Sequence, residues 1–222
     1  MIWALFNDVV QRIITGNKWE QRNNLFKRLR RIALPPGSKA MDFGCGTGLF
    51  AEVFTRGGFE YLGCDIDDRL TDYAARLYPN CRFTTSEEVL EREAPFDLIL
   101  VNCCFHHIED ALLSVELERI KSLLADNGVF LMLDILLVEN DTSFLHRFFM
   151  KLEQGEHVRT VDAYQNLVER HFFINRVDIE RSYVFSVKHR LNPLYNDLAV
   201  FTCTRQGGSA LELWKSGLGV VE

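Results

Sequence analysis

The sequence predicts an α/β domain of the doubly wound kind, and three observations point there. An apolar stretch at 39–44 runs directly into the glycine loop Gly44-Cys45-Gly46-Thr47-Gly48, and a carboxylate, Asp65, ends the next apolar stretch. Other runs, such as Leu98-Ile99-Leu100-Val101 and Val129–Val138, are too continuous to alternate and read as strands covered on both faces. Segments of helical period separate these runs, so parallel strands with right-handed crossovers are the expected arrangement. At 222 residues and 47% hydrophobic content, the chain suits one such domain with an added cap.

Taken in order, residues 2–31 show helical spacing in two stripes: Trp3, Phe6, Val10, Ile13 and Ile14, then Leu25, Phe26 and Leu29. Gly16-Asn17 divides them, and Pro35-Pro36-Gly37 ends the second. Strands are expected at 39–44, 60–65, 81–84, 96–102 and 129–136, with helices at 48–57, 68–78, 86–93 and 110–125. Beyond 138 the pattern changes. Residues 141–154 and 160–172 read as two helices about Gly155, followed by long strands at 173–190 and 197–205 joined through 191–195. The expected division is an N-terminal helical segment (1–34), a main domain (35–206) with a helical cap at about 141–172, and a glycine-bearing tail (207–222).

The loop carries the chemistry. Glycines at 44, 46 and 48 bring backbone N–H groups close to a ligand, although such turns also serve packing alone. A dinucleotide fingerprint needs glycine or alanine at position 49, which is leucine. The loop therefore suits a nucleoside cofactor with no pyrophosphate on the helix end, such as S-adenosylmethionine. Asp65 can accept hydrogen bonds from both ribose hydroxyls. Its other reading is a helix N-cap, for which Asp67 or Asp68 is better placed. Ser86 can bond an adenine amino group or cap the next helix with Glu88 nearby.

Asp42-Phe-Gly-Cys-Gly-Thr-Gly48 resembles motif I of the class I S-adenosylmethionine-dependent methyltransferases of small molecules. The match continues in that family's order through Gly63-Cys-Asp65-Ile-Asp67, Phe96-Asp97-Leu-Ile-Leu, His106-His107-Ile-Glu-Asp110 and Leu124-Ala-Asp-Asn-Gly128, covering about 35–140. The resemblance implies a Rossmann-like, seven-stranded, mostly parallel sheet with an antiparallel last strand, and an N-terminal helical segment over the mouth of the site. It also implies a cofactor set of Asp42, Gly44, Cys45, Gly46, Gly48, Asp65, Ile66, Ser86 and Asn102, with Asp42 helping to orient the cofactor's ammonium. The third-strand corner, Phe83-Thr84-Thr85-Ser86, lacks the Asp many members place there. Asn102-Cys103-Cys104-Phe105 resembles the Asp/Asn-Pro-Pro-aromatic motif of amino-group methyltransferases, but both prolines are missing and no amine or nucleic-acid specificity follows.

His106-His107 stands where many small-molecule members carry a histidine pair. His107 is the candidate general base, since an imidazole has a suitable intrinsic pKa; the other reading is a histidine that braces the loop. The cap aromatics Phe144, Phe148, Phe149, Tyr164, Phe172 and Phe173, with His146, Arg147, His157 and Arg159 among them, suit a mostly apolar, lipid-like small-molecule acceptor. Gluing the cap to the sheet is the favoured reading of each aromatic.

Composition narrows the remainder. The six cysteines form no C-x-x-C and no zinc spacing, so reduced thiols and no metal are expected. No apolar run reaches 18 residues, and the opening Met-Ile-Trp-Ala-Leu-Phe is not built like a secretory leader; a cytoplasmic location is expected. Net charge is −6, yet residues 1–39 hold eight Lys/Arg against two Asp/Glu. The run Lys27-Arg28-Leu29-Arg30-Arg31 reads as a solvated helix face or as a contact for an anionic surface, with nucleic acid the less favoured partner. The rival functions are an NAD-dependent oxidoreductase, against which Leu49 argues, and a non-catalytic protein that keeps the fold and binds the cofactor or another nucleotide.

Overall fold

A computed structural model describes residues 18–137, 156–183 and 195–206, with backbone alone at 182, 183, 195 and 196. The first described element is helix α1 (Lys18–Ile32), followed by β1 (Lys39–Phe43), α2 (Ala51–Arg56), β2 (Glu60–Cys64) and α3 (Asp68–Leu77). Next come β3 (Arg82–Thr84), α4 (Glu87–Glu93), β4 (Phe96–Asn102), a 3₁₀ turn (Phe105–His107) and α5 (Asp110–Leu123). Then follow β5 (Leu124–Ile135), α6 (Val161–Val168), β6 (Phe173–Tyr183) and β7 (Tyr195–Thr204).

The strands make one sheet in the order β3-β2-β1-β4-β5-β7-β6. The first five are parallel, and β7 runs antiparallel between β5 and β6. The order reverses at β1, whose two neighbours are β2 and β4, so the chain ends that leave β1, β2 and β4 converge on one edge. Ligands of open α/β sheets bind at such a switch point.

Alternation along the strands explains the two-sided core. Ile99 and Val101 of β4, with Met41, Phe130, Met132 and Phe201, face Leu113, Leu117 and Ile120 of α5 and Tyr164, Leu167 and Val168 of α6. Leu98 and Leu100, with Ala40, Leu131, Leu133 and Val200, face Leu25, Leu29 and Ile32 of α1 and Val53 and Phe54 of α2. Leu25, Leu29 and Ile32 recur at helical spacing, which is why this stretch forms a helix that lies on the sheet.

Most expected elements are present, with changes at their ends. The helix expected at 48–57 is regular only over Ala51–Arg56, because the glycine loop takes its first turn. The fifth strand begins at Leu124 rather than 129. Leu124 pairs with Phe96, and the register then shifts until Leu98 meets Val129, with Asp126 and Asn127 exposed in between. The helix expected over 160–172 spans Val161–Val168 and begins at the Thr160 cap, whose side chain accepts from the Ala163 N–H. The first N-terminal stripe, the cap helix at 141–154, the strand junction at 191–195 and the tail lie outside the described residues. Among the described residues no helix is long and apolar enough to cross a membrane.

Candidate functional site

The loop after β1 is fixed from two sides. The N–H groups of Gly44 and Cys45 both donate to the Cys64 carbonyl, at 2.8 and 2.9 Å, which hangs the loop over the end of β2. Gly44 has φ +70°, and a Cβ there would stand 2.7 Å from Cys104 Sγ, so the loops after β1 and β4 touch at this point. Gly46 (φ +52°) faces open space, where a Cβ would meet nothing within 4 Å. Its N–H donates to Asp65 Oδ2 at 2.8 Å.

Asp65 directly follows β2, half-buried, and its other oxygen accepts the Asp67 N–H at 3.0 Å. The capping role belongs to Asp67, which accepts the Arg69 N–H at 3.0 Å and pairs with the Arg69 side chain, an interaction that holds its carboxyl below the usual range. Ile66, between the two acids, is 99% exposed. Ser86 caps α4, its Oγ accepting from Val89 N at 3.4 Å, while its own O–H proton stays able to donate.

Beneath the loop Asp42 is almost fully buried, and Tyr61 donates its hydroxyl to Oδ2 at 3.0 Å. Burial pushes its carboxyl up to about 7; the Tyr61 hydrogen bond opposes the shift and the nearby charge of Asp65 adds to it. Burial likewise raises the thiols of Cys45 and Cys104, and that of Cys64 to about 11, so these cysteines are inert fillers.

Asn102 ends β4, and Cys103 beyond it adopts φ +50° with its N–H donating to the Leu133 carbonyl at 2.8 Å. Both line a cleft between α1 and the carboxyl edge of the sheet. Leu25, Phe50, Leu100, Leu133, Ile135 and Leu198 form its apolar lining, while Glu20, Gln21, Asn24 and Arg181 add polar groups. Its cavity volume is about 60 Å³, and it opens to solvent. The cleft thus adjoins the switch-point edge where the glycine loop and Asp65 converge.

The turn after β4 is locked by two buried charges. Asp134 Oδ2 accepts the N–H groups of Phe105 (2.8 Å) and His106 (3.2 Å), and Oδ1 lies 2.5 Å from His106 Nδ1. Arg159 is 7% exposed; it donates to the carbonyls of Phe105 (3.0 Å), His157 (2.8 Å) and Ile108 (2.5 Å) and to Asp110 Oδ1 (2.8 Å), and lies over the Tyr164 ring. The two histidines therefore differ in kind. His106 is buried and bound into this brace, whereas His107 is exposed, with its ring 4.1 Å from that of His106, and does not line the cleft. Asp134 was discoverable as the one acid inside the apolar run from 129 to 138, since a buried carboxylate must be bonded. Nothing local marked Arg159 as its counterpart. Arg159→Ala, which strands three carbonyls while leaving the mostly exposed Asp110 to water, is expected to cost about 1–3 kcal/mol in urea unfolding. Arg159→Lys should recover little of it, because an ammonium cannot reproduce the planar fork.

Tyr164 and Phe172 of the expected aromatic cap are core residues on the opposite face of the sheet from the cleft, and their role is adhesion. On that side, Ser114 Oγ lies 2.9 Å from His171 Nε2, and His171 Nδ1 lies 2.9 Å from Glu118. The order resembles a hydrolytic triad, but Ser114 sits inside α5, whose N–H groups are spent on the helix, and Glu118 is two-thirds exposed. The trio is a staple between α5 and the turn after α6. Among the described residues no cluster of three or more His, Cys, Asp or Glu could hold a metal ion.

Comparison with known proteins agrees with this geometry. Residues 18–173 match the methyltransferase domain family, so the chain belongs to that family and to its S-adenosylmethionine-dependent class. A stretch of 111 residues is 35% identical to the ubiquinone biosynthesis O-methyltransferase of Rhodopseudomonas palustris (strain HaA2), covering 46% of this chain and 42% of that enzyme. The chain thus spans less than half the length of that relative. Among solved structures, an S-adenosylmethionine-dependent methyltransferase from Archaeoglobus fulgidus superposes with TM-score 0.66 at 15% identity, over 90% of this chain and 100% of that one. A Haemonchus contortus phosphoethanolamine N-methyltransferase in complex with S-adenosylhomocysteine gives 0.65 at 16% identity, over 88% and 56%. At such identities the superpositions establish the fold.

Proposed function

We propose that the chain transfers the methyl group of S-adenosylmethionine to a small, mostly apolar acceptor held in the cleft behind α1. The observation that carries this is the meeting, on one sheet edge, of an open glycine cradle with a carboxylate and an apolar cleft. The cradle fits the cofactor. Gly44, Cys45, Gly46 and Gly48 present backbone over Asp42, and the space at Gly46 leaves room for a ligand. Asp65 has spent two of about four acceptor positions on Gly46 and Asp67, which leaves two for a pair of ribose hydroxyls. Ile66 supplies an apolar face for a base, Ser86 a hydroxyl proton, and Asn102 a polar contact where cofactor and acceptor would meet. The bound cofactor supplies an electrophilic methyl group. The chain's own residues orient the acceptor and exclude water from the apolar cleft.

A proton must leave a hydroxyl acceptor, and His107, exposed on the turn after β4 and outside the cleft lining, is the residue proposed to take it from a hydroxyl that projects out of the cleft. The test is transfer of isotopically labelled methyl from the cofactor into solvent-extractable product, across a panel of phenols, quinols and amines. The expected result is labelled product from apolar hydroxyl acceptors, with turnover reduced at least about tenfold in His107→Ala and cofactor affinity unchanged. Unchanged turnover makes His107 a structural residue. Absence of transfer to every acceptor, in a protein that binds the cofactor product, favours the non-catalytic reading.

A further inference from the structure

The charge on α1 is not consumed by the fold. The helix carries six cations, Lys18, Arg22, Lys27, Arg28, Arg30 and Arg31, against Glu20 alone, in a chain of net charge −6. Lys18 is engaged, and Arg22 and Arg28 have partners among the described residues. Arg22 donates to the Leu49 carbonyl at 2.8 Å and to Tyr78 Oη at 2.7 Å and pairs with Glu52, and Arg28 pairs with Glu180. Lys27, Arg30 and Arg31 are exposed, and no described side-chain hydrogen bond or ion pair engages them.

Helical spacing puts these cations on the outward face together with an aromatic side chain. Trp19, Asn23, Lys27 and Arg30 follow at intervals of four, four and three, a single stripe opposite Leu25 and Leu29, with Arg31 at its flank. Trp19 is 70% exposed. With its apolar face on the sheet, the helix can meet a headgroup layer only by surface contact, the Trp19 indole at the interface and the cations on anionic lipid. The reverse face of the first two turns contributes Glu20, Gln21, Asn24 and Leu25 to the cleft. One helix therefore links an apolar cleft to a surface suited to the phase in which apolar molecules partition.

We infer that the outward face of α1 docks the protein on an anionic bilayer surface, and that the acceptor enters the cleft from that surface. The second half of this inference rests on the proposed methyl transfer; the first half does not. At physiological ionic strength charges beyond about 8 Å are screened, so acidic residues on distant faces do not cancel the local attraction. A convex stripe with a tryptophan and an apolar cleft behind it favours a lipid surface over a polynucleotide, which a charged groove would suit better.

The test is co-sedimentation of the full chain with phosphatidylcholine vesicles, with and without phosphatidylglycerol, at low and high salt. Homopolymeric RNA serves as competitor; folding is controlled by S-adenosylhomocysteine binding in the α1 variants and by the thermal midpoint in Asp65→Ala. Partitioning onto the phosphatidylglycerol vesicles alone, weakened by salt, is expected. The triple variant Lys27→Glu, Arg30→Glu, Arg31→Glu should lose at least about tenfold in partitioning, Trp19→Ala should lose severalfold, and both should still bind S-adenosylhomocysteine. The inference is overturned by equal binding to both vesicle types, by no binding, by unchanged partitioning in either variant, or by displacement onto RNA. Asp65→Ala separates the two readings: it should keep its hold on vesicles while losing the cofactor product.

Discussion

Asp65→Ala should bind S-adenosylhomocysteine at least about a hundredfold more weakly than the wild-type chain. Two effects add. Each ribose hydroxyl bonded to a carboxylate is worth about 1.5–3 kcal/mol, and 2.7 kcal/mol is already a hundredfold. The same carboxylate also holds the Gly46 and Asp67 N–H groups at 2.8 and 3.0 Å, so its loss releases the loop that must receive the cofactor. Asp65→Asn keeps an acceptor oxygen for one of these N–H groups and should fall between the two. Titration calorimetry reads both variants. Because Asp65 is only half-buried and the core does not depend on it, the thermal midpoint of the free protein should move little. Wild-type affinity in Asp65→Ala would remove the ribose assignment.

Asp42→Asn should separate stability from binding. In the folded chain the carboxyl is raised from 3.8 to about 7, with burial as the main cause. A group whose folded pKa lies above its unfolded value holds its proton more tightly when folded. The free wild-type protein therefore loses stability as pH rises from about 4 to about 7, at up to about 1.4 kcal/mol per pH unit, and the loss is complete above 7. Asparagine can still accept the Tyr61 hydroxyl and never ionises, so this slope should disappear from urea unfolding curves collected between pH 4 and 8. Cofactor binding should move the other way. A cationic ammonium near Asp42 draws out the ionised form, so wild-type affinity should climb as pH passes through 7. Asp42→Asn should bind at least about tenfold more weakly at pH 8, with that climb gone. A pH slope of stability that survives the substitution would place the titration on another group. This trade of stability for binding is common where a charge is buried for a ligand.

What was legible in the sequence was local. Gly44, Gly46 and Gly48 all have positive φ, the left-handed backbone conformation that the turn from β1 to α2 demands and that glycine adopts without strain. That requirement is written in consecutive residues, as is the position of Asp65 at the end of an apolar run. The alternating elements could be read for the same reason, since each strand needed apolar residues on both faces. Four things could not be read this way. Ser86 had two equal readings, and only the hydrogen bond to Val89 shows that it caps α4. The histidine pair could not be told apart from adjacency; the partner that buries His106 is Asp134, 28 residues later. The cap aromatics Tyr164 and Phe172 belong to the core, because the chain after 156 returns to the face of the sheet opposite the cleft. The cleft itself is formed by α1, which the family resemblance places over the mouth of the site, but the strand order had to be known before Leu25 could be placed beside Leu100 and Leu133.

The most direct measurement is titration of the wild-type chain with S-adenosylhomocysteine and, separately, with NAD. The account expects saturable one-to-one binding of S-adenosylhomocysteine and none of NAD, because the loop turns over Asp42 and Asp65 with Leu49 where a pyrophosphate site needs a small residue. Binding of NAD in its place, or of neither ligand by a folded protein, would contradict it.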